Sequence, residues 1–165
     1  MSDVEVRRVG PEAWQAWRDI RLRSLRESPD AFGSTVERER AFTEVDWKRR
    51  AGGPGPAVLA FRGGDPVAMG AGWPYEPGKL MIVAMWTDPR LRGRGIGRRI
   101  LDELVGWARE AGLRPDLWVA DANPAARGVY EAYGFVANGE SAPLREDSDL
   151  TRSRLVLDAP DISDS

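Results

Sequence analysis

The sequence predicts an α/β (α+β) fold with a mixed, mostly antiparallel central sheet of about seven strands and helices on both faces. The chain has 165 residues, of which 42% are hydrophobic and 30% charged, as expected for one globular domain rather than a disordered chain. Hairpin signals in its first half indicate antiparallel strands. Between residues 80 and 120, a strand, a glycine-rich turn, a helix and a second strand form a crossover, which joins parallel strands.

Hydrophobic periodicity defines the elements in order. Alternating apolar and polar side chains predict a half-buried first strand at residues 4–9. Helical spacing after Pro11 predicts a helix that ends near Ser28, and a loop over 30–34 follows it. A threonine-capped short helix is predicted over 43–51. The remaining strands are predicted at 57–61, 67–73, 80–86, 117–120, 135–137 and 154–157, with a turn of hairpin type at 62–65.

The second half of the chain carries the crossover. Residues 80–86 form a continuous apolar run, which is typical of a strand covered on both faces. The next helix has one apolar face from Ile96 to Ala108 and ends before Gly112, and a last helix spans 123–133. Because the acidic stretch 159–165 lacks a core pattern, we expect a single domain over residues 1–158 followed by a disordered tail.

Composition excludes several kinds of chemistry. The chain has no cysteine and no histidine, which rules out disulfides, a cysteine nucleophile, a Ser-His-Asp triad and thiolate or imidazole metal sites, so we expect no metal. A formal net charge of -2 gives no overall attraction to nucleic acid or to an anionic membrane. The first residues lack the apolar core of a signal peptide, and no apolar run approaches the roughly 20 residues of a membrane span. We therefore expect a cytoplasmic protein.

A glycine-rich turn precedes the helix that begins near residue 96. Gly93, Gly95 and Gly97 alternate there with other residues, and five arginines lie between positions 90 and 99. Glycine allows close approach of the backbone to a ligand, and the free amides of a helix N-terminus attract an anion. The turn therefore predicts a phosphate site. It lacks the lysine of a P-loop, and its glycine spacing differs from that of the dinucleotide fingerprint.

Two motifs resemble those of a known enzyme family. The stretch PRLRGRGIG at 89–97 resembles the coenzyme A pyrophosphate loop of the GNAT superfamily of N-acyltransferases. The stretch NPAARGVYEAYGF at 123–135 is similar to the second motif of that superfamily. A weaker likeness to the first-helix region of one large GNAT branch extends upstream, through RLRSL at 21–25 and PDAF at 29–32.

The resemblance implies the GNAT acyltransferase fold, in which strand four splays from strand five, and acetyl-CoA as the acyl donor. Backbone groups at the end of strand four would pair with the pantetheine arm, and one N–H there would polarise the thioester carbonyl. The amides of the glycine turn would hold the pyrophosphate, and Arg99 is one of the arginines that could reach a phosphate oxygen. The cofactor-binding residues implied in this way are Met85, Trp86, Thr87, Arg92, Gly93, Arg94, Gly95, Ile96, Gly97, Arg98 and Asn123.

The resemblance further implies an N-acetyltransferase that transfers an acetyl group to a primary amine by direct attack, with Tyr130 as the general acid. A thiol has a pKa of about 8.5 and a phenol of about 10, so Tyr130 could protonate the departing thiolate at neutral pH. Tyr133 is expected to pack against its surroundings. The general base is not identifiable, and the candidates are Glu37, Glu39 and Glu76.

The acceptor stays open between a small-molecule amine and a peptide amine. An aromatic pocket of Phe32, Trp73, Tyr75 and Trp86, with an acidic group near the amine, could hold it, in part through a loop near residues 73–76. Two alternatives also stay open: a non-catalytic acyl-CoA-binding or sensor module, and a protein N-terminal acetyltransferase. The resemblance allows a homodimer.

Overall fold

A single seven-stranded sheet organises the computed structural model, which describes residues 3–157. The strands are β1 (Val4–Val9), β2 (Ala57–Arg62), β3 (Asp65–Glu76), β4 (Lys79–Thr87), β5 (Arg114–Ala120), β6 (Phe135–Pro143) and β7 (Thr151–Leu157). The helices are α1 (Trp14–Glu27), α2 (Val36–Glu39), α3 (Glu44–Gly52), α4 (Ile96–Glu110) and α5 (Pro124–Tyr133). The tail expected at 159–165 lies outside the described residues.

The strand order is β1-β2-β3-β4-β5-β7-β6. All neighbouring strands are antiparallel except β4 and β5, which are parallel and are joined through α4. The predicted mixed, mostly antiparallel sheet with a parallel crossover is therefore confirmed. The hairpin between β2 and β3 and the capping box of Thr43 at the start of α3 are also present.

Helices cover both faces of the sheet, as expected. On one face, α4 and α5 bury an apolar cluster that includes Ile100, Leu104 and Phe135. On the other face, α1 and α3 bury a second cluster around Trp17 and Trp47. Within residues 3–157, no helix combines the length and the apolar character that crossing a bilayer requires.

β4 separates from β5 halfway along its length. The two strands pair only from Lys79 to Ile82, opposite residues 114–117 of β5. Beyond this point the β3–β4 register shifts, and Ala84 takes a left-handed conformation with φ of 59°. A bulge of this kind bends a strand away from its neighbour. Because β4 leaves β5 here, Val83 is 38% exposed, and the expectation that 80–86 is covered on both faces is wrong for this residue.

Other differences from the predicted elements have local causes. Residues 73–76, expected to form a loop, are the end of β3, because the turn to β4 falls at Pro77 and Gly78. The short helix α2, capped by Thr35, lies just after the expected loop 30–34 and was not predicted. Its four residues are too few to establish a helical period.

Candidate active site

The gap between β4 and β5 opens into two adjoining cavities. The larger has a volume of about 680 Å³ and lies between the glycine turn, the end of β4, the start of α5 and the segment that follows α1. The smaller, of about 70 Å³, lies within the gap and is lined by residues of β4 and β5, including Trp118 and Ala120. Phe32, Met85 and Tyr130 line both cavities, so the two adjoin at these side chains.

The glycine turn presents backbone amides to the larger cavity. Gly93 and Gly95 have φ of 79° and 80°, which favours glycine at both positions. Gly95 is the N-cap of α4, and the amide of Arg99 makes the first helical bond to its carbonyl, at 3.1 Å. The amides of residues 96–98 therefore precede the first helical hydrogen bond, and together with the helix dipole they form an anion site.

Asp88 fixes the start of this turn. Its carboxylate is buried and accepts the backbone amide of Arg90 at 2.9 Å, the side chain of Arg90 at 2.8 Å and Arg23 Nη2 at 2.9 Å. The hydrogen bonds from the Arg90 side chain are the main cause that lowers the pKa of Asp88 to about 2, against the opposing effect of burial. The ion pair thus holds the strand-to-turn junction in place at neutral pH.

Replacing Asp88 by asparagine is expected to reduce the free energy of unfolding by about 1 kcal/mol at neutral pH, because asparagine keeps the capping oxygen but loses the charge. In the folded protein the pKa of Asp88 lies below its ordinary value of 3.8. The stabilisation that the charge of Asp88 provides is therefore complete above pH 3.8 and disappears as the pH falls towards 2. Urea unfolding of both proteins at a series of pH values checks this. A stability difference that persists near pH 2 would contradict it.

The arginines of the turn differ in what they contact. Arg92 lies at the larger cavity but donates to the Thr87 carbonyl at 2.9 Å and pairs with Glu27 at 3.3 Å. Arg98 lines the cavity and its guanidinium lies 5.5 Å from the ring centre of Tyr133. Arg94 is exposed and is the only implied cofactor-binding residue that does not line the cavity. Arg99, one of the arginines expected to reach a phosphate oxygen, donates to the backbone carbonyl of Val4 at 3.0 Å.

Glu27 is a cavity residue that the sequence reasoning missed. It is the last residue of α1, lines the larger cavity and accepts a hydrogen bond from Trp86 Nε1 at 3.0 Å. Burial alone would raise its pKa, but hydrogen bonds from Ser28 and Trp86 and the charge of Arg92 outweigh burial and lower it. No local signal identifies such a residue, since a glutamate at a helix end is usually solvated.

Tyr130 lies where the two cavities meet. Its side chain is 8% exposed, and its ring packs edge-on against Phe135 with centroids 6.1 Å apart. Burial raises the pKa of Tyr130, and among residues 3–157 its hydroxyl has no hydrogen-bond partner. Tyr133, in contrast, donates to Asp102 at 2.8 Å. Asn123 lines both cavities and caps α5, its side chain accepting the amide of Ala126 at 3.2 Å.

None of the carboxylates considered as a general base lines either cavity. Glu39 is buried and makes two hydrogen bonds with Arg21, at 2.9 and 3.0 Å, which is a structural ion pair between α2 and α1. Glu76 pairs with Lys79 at 3.1 Å, and Glu37 is exposed on α2. In the described part of the chain, no group of three or more metal-ligating side chains is present.

The aromatic residues expected around the acceptor divide into two pairs. Phe32 and Trp86 line the larger cavity. Trp73 is 57% exposed on β3, and the Tyr75 hydroxyl donates to Asp116 at 2.6 Å, so neither residue lines the cavities.

Solved structures share this fold. A GNAT-family acetyltransferase from Streptococcus pneumoniae superposes with a TM-score of 0.79 at 18% identity, over 94% of this chain and 99% of that one. YncA of Salmonella typhimurium, solved with its cofactor acetyl-CoA, superposes with a TM-score of 0.75 at 16% identity, over 98% and 99%. At these identities the likeness establishes the fold.

Sequence comparison gives the family. A mycothiol acetyltransferase of Beutenbergia cavernae is 29% identical over 130 residues, which are 76% of this chain and 42% of that protein. The enzyme of the same name from Clavibacter sepedonicus is 32% identical over 91 residues, which are 55% and 29%. The chain thus spans less than half the length of these curated relatives. Residues 14–135 match the acetyltransferase (GNAT) family, and the chain therefore belongs to that family.

Proposed function

We propose that this chain transfers an acetyl group from acetyl-CoA to a primary amine of a small molecule. One observation carries the proposal: a single cavity brings together the amides at the start of α4, the part of β4 that has left β5, and the phenol of Tyr130. The first attracts a phosphate, the second offers backbone hydrogen bonds, and the third offers a proton.

The residues around the cavity fit coenzyme A. A Cβ atom added to Gly93 or Gly95 would meet nothing within 4 Å, which indicates open space beside the amides of the turn. The residues proposed to hold the pyrophosphate are those of the turn, Arg92 to Arg98. Backbone groups of Met85, Trp86 and Thr87 would pair with the pantetheine arm, and Asn123, which lines the same cavity, would approach it. The bound cosubstrate would supply an acetyl group activated as a thioester.

The chain's own groups then have separate tasks. The acceptor amine attacks the acetyl carbonyl directly, since the chain has no cysteine to carry the acetyl group. An N–H of the separated part of β4 stabilises the negative charge on the carbonyl oxygen. Tyr130 donates its proton to the departing thiolate, which leaves as the free thiol, and the phenolate recovers a proton from the attacking nitrogen, which loses one as the amide forms. The phenol is protonated at neutral pH, since burial raises its pKa above the ordinary value of 10.

Two observations favour a small acceptor over a peptide. The curated relatives are named mycothiol acetyltransferases, for a small molecule rather than a protein. In the structure, Arg145 of the β6–β7 loop donates to the carbonyls of Pro29 and Phe32, at 3.2 and 2.8 Å. This bridge joins the β6–β7 loop to the segment that borders the cavity, and we expect it to restrict the approach of a large acceptor.

Free-thiol release from acetyl-CoA across a panel of amines and short peptides tests the proposal. We expect release that depends on a small primary amine. Tight binding of acetyl-CoA with no release for any acceptor would identify a sensor module, and release with peptides alone would identify a protein N-terminal acetyltransferase. Either result would overturn the proposal.

A further inference from the structure

Arg152 of β7 is a partly buried cation without a counter-ion. Its guanidinium stacks on the indole of Trp118, 4.5 Å from the ring centre. Its Nε atom is buried and has no hydrogen-bond partner, and no ion pair of Arg152 occurs within residues 3–157. The neighbouring Arg154, in contrast, pairs with Asp116 and with Glu140.

Arg152 lies one strand away from the gap between β4 and β5, across β5, and it contacts residues that line the smaller cavity without lining that cavity itself. It is directly opposite Ala120 in the β5–β7 pairing, and residues opposite each other in an antiparallel pair share one face of the sheet. Trp118, two residues before Ala120, is on the same face. Both Trp118 and Ala120 line the smaller cavity, which reaches Tyr130 at its other side.

A partly buried arginine without a counter-ion is energetically unfavourable. Burial lowers the pKa of Arg152, which means that the surroundings disfavour its charge. The acidic residues of the adjoining β6–β7 loop, Glu146, Asp147 and Asp149, are exposed and form no ion pair with it in the described part of the chain. A carboxylate of a ligand would neutralise the charge of Arg152. The planar guanidinium can bind a carboxylate through two parallel hydrogen bonds.

We propose that Arg152 binds a carboxylate of the acceptor, so that the substrates of this chain are amines that also carry a carboxylate, as amino acids do. This inference rests on the proposed function and narrows its acceptor class. In such a substrate the carboxylate lies at Arg152 and Trp118 while the amine faces the gap beside Tyr130. The acidic group that the sequence predicts near the acceptor amine would serve the other end of such a substrate, and Glu27 is a carboxylate that lines the larger cavity.

Matched acceptors test the inference. Each amino acid of a panel is compared with its carboxamide, which has the same amine and side chain but no negative charge. For Arg152→Gln we expect KM for the amino acid to rise about 10- to 100-fold, with little change in kcat and none in the values for the carboxamide. Arg152→Lys should recover part of the loss. Arg114→Gln, at an exposed arginine on β5, is the control and should behave as the wild type.

Calorimetry separates this inference from the proposed function. The CoA-loaded protein is titrated with an amino acid and with its carboxamide, and unfolding of Arg152→Gln is measured to show that it folds. Binding that requires the carboxylate and Arg152 supports the inference even if no acceptor releases thiol. Release that is equal for the amino acids and their carboxamides overturns the inference while the transferase proposal stands. Absence of both binding and release overturns both.

Discussion

Replacing Tyr130 by phenylalanine is expected to lower kcat for acetyl transfer by roughly 100-fold or more, which is the contribution of a positioned general acid. The reason is local, since the phenol lies where the two cavities meet. Its hydroxyl makes no hydrogen bond with any of the described residues. Phenylalanine keeps the ring that packs on Phe135. The free energy of unfolding and the Kd for coenzyme A should therefore stay close to those of the wild type. Steady-state kinetics, calorimetry and thermal unfolding check the three expectations.

Tyr133→Phe is the matched control for this change. Tyr133 is on the same helix, but its hydroxyl is already bound to Asp102, so its loss should leave kcat unchanged. Because burial raises the pKa of Tyr130, its proton is retained at mildly alkaline pH, and ionisation of Tyr130 should not reduce kcat in that range. An unchanged kcat in Tyr130→Phe, with a good acceptor present, would remove Tyr130 from the chemistry.

The features that sequence predicts well here are those that a few consecutive residues determine. The glycine turn and the starts of α4 and α5 are local, because a glycine with positive φ or an amide-accepting side chain acts within one helical turn. The crossover from β4 to β5 follows from the order of the elements. The cavity between these parts could thus be anticipated from two short motifs.

The acceptor side could not be predicted, because it depends on long-range register. Arg152 lies opposite Ala120, a residue of the smaller cavity, only because β7 pairs with β5, and the sequence does not specify this pairing. Glu27 reaches the cavity through the packing of α1 against β4. The bulge at Ala84 also has no sequence signal, since glycine usually marks a left-handed residue and alanine does not.

The predicted anion site at the start of α4 can be tested by a change with opposite effects on folding and on binding. Gly97 is the second residue of α4, and a Cβ atom added there would meet only Thr87 Oγ1, at 3.8 Å. Gly97→Asp should raise the free energy of unfolding by about 1 kcal/mol, because it removes a helical glycine and places a negative charge in the first helical turn. The same charge would face the diphosphate, and we expect the affinity for coenzyme A to fall roughly 100-fold or more.

Gly97→Asn separates charge from size in this experiment. Asparagine has nearly the same shape as aspartate and fills the same space beside the turn, so it should weaken coenzyme A binding much less than aspartate does. Calorimetry with coenzyme A and urea unfolding of both variants give the comparison. If the two variants bind equally well, or if Gly97→Asp keeps the wild-type affinity while folding normally, the diphosphate does not lie at the amides of residues 96–98. The cosubstrate site proposed for this chain would then be wrong, because no other part of the cavity combines a helix N-terminus with open space at glycines in the described residues.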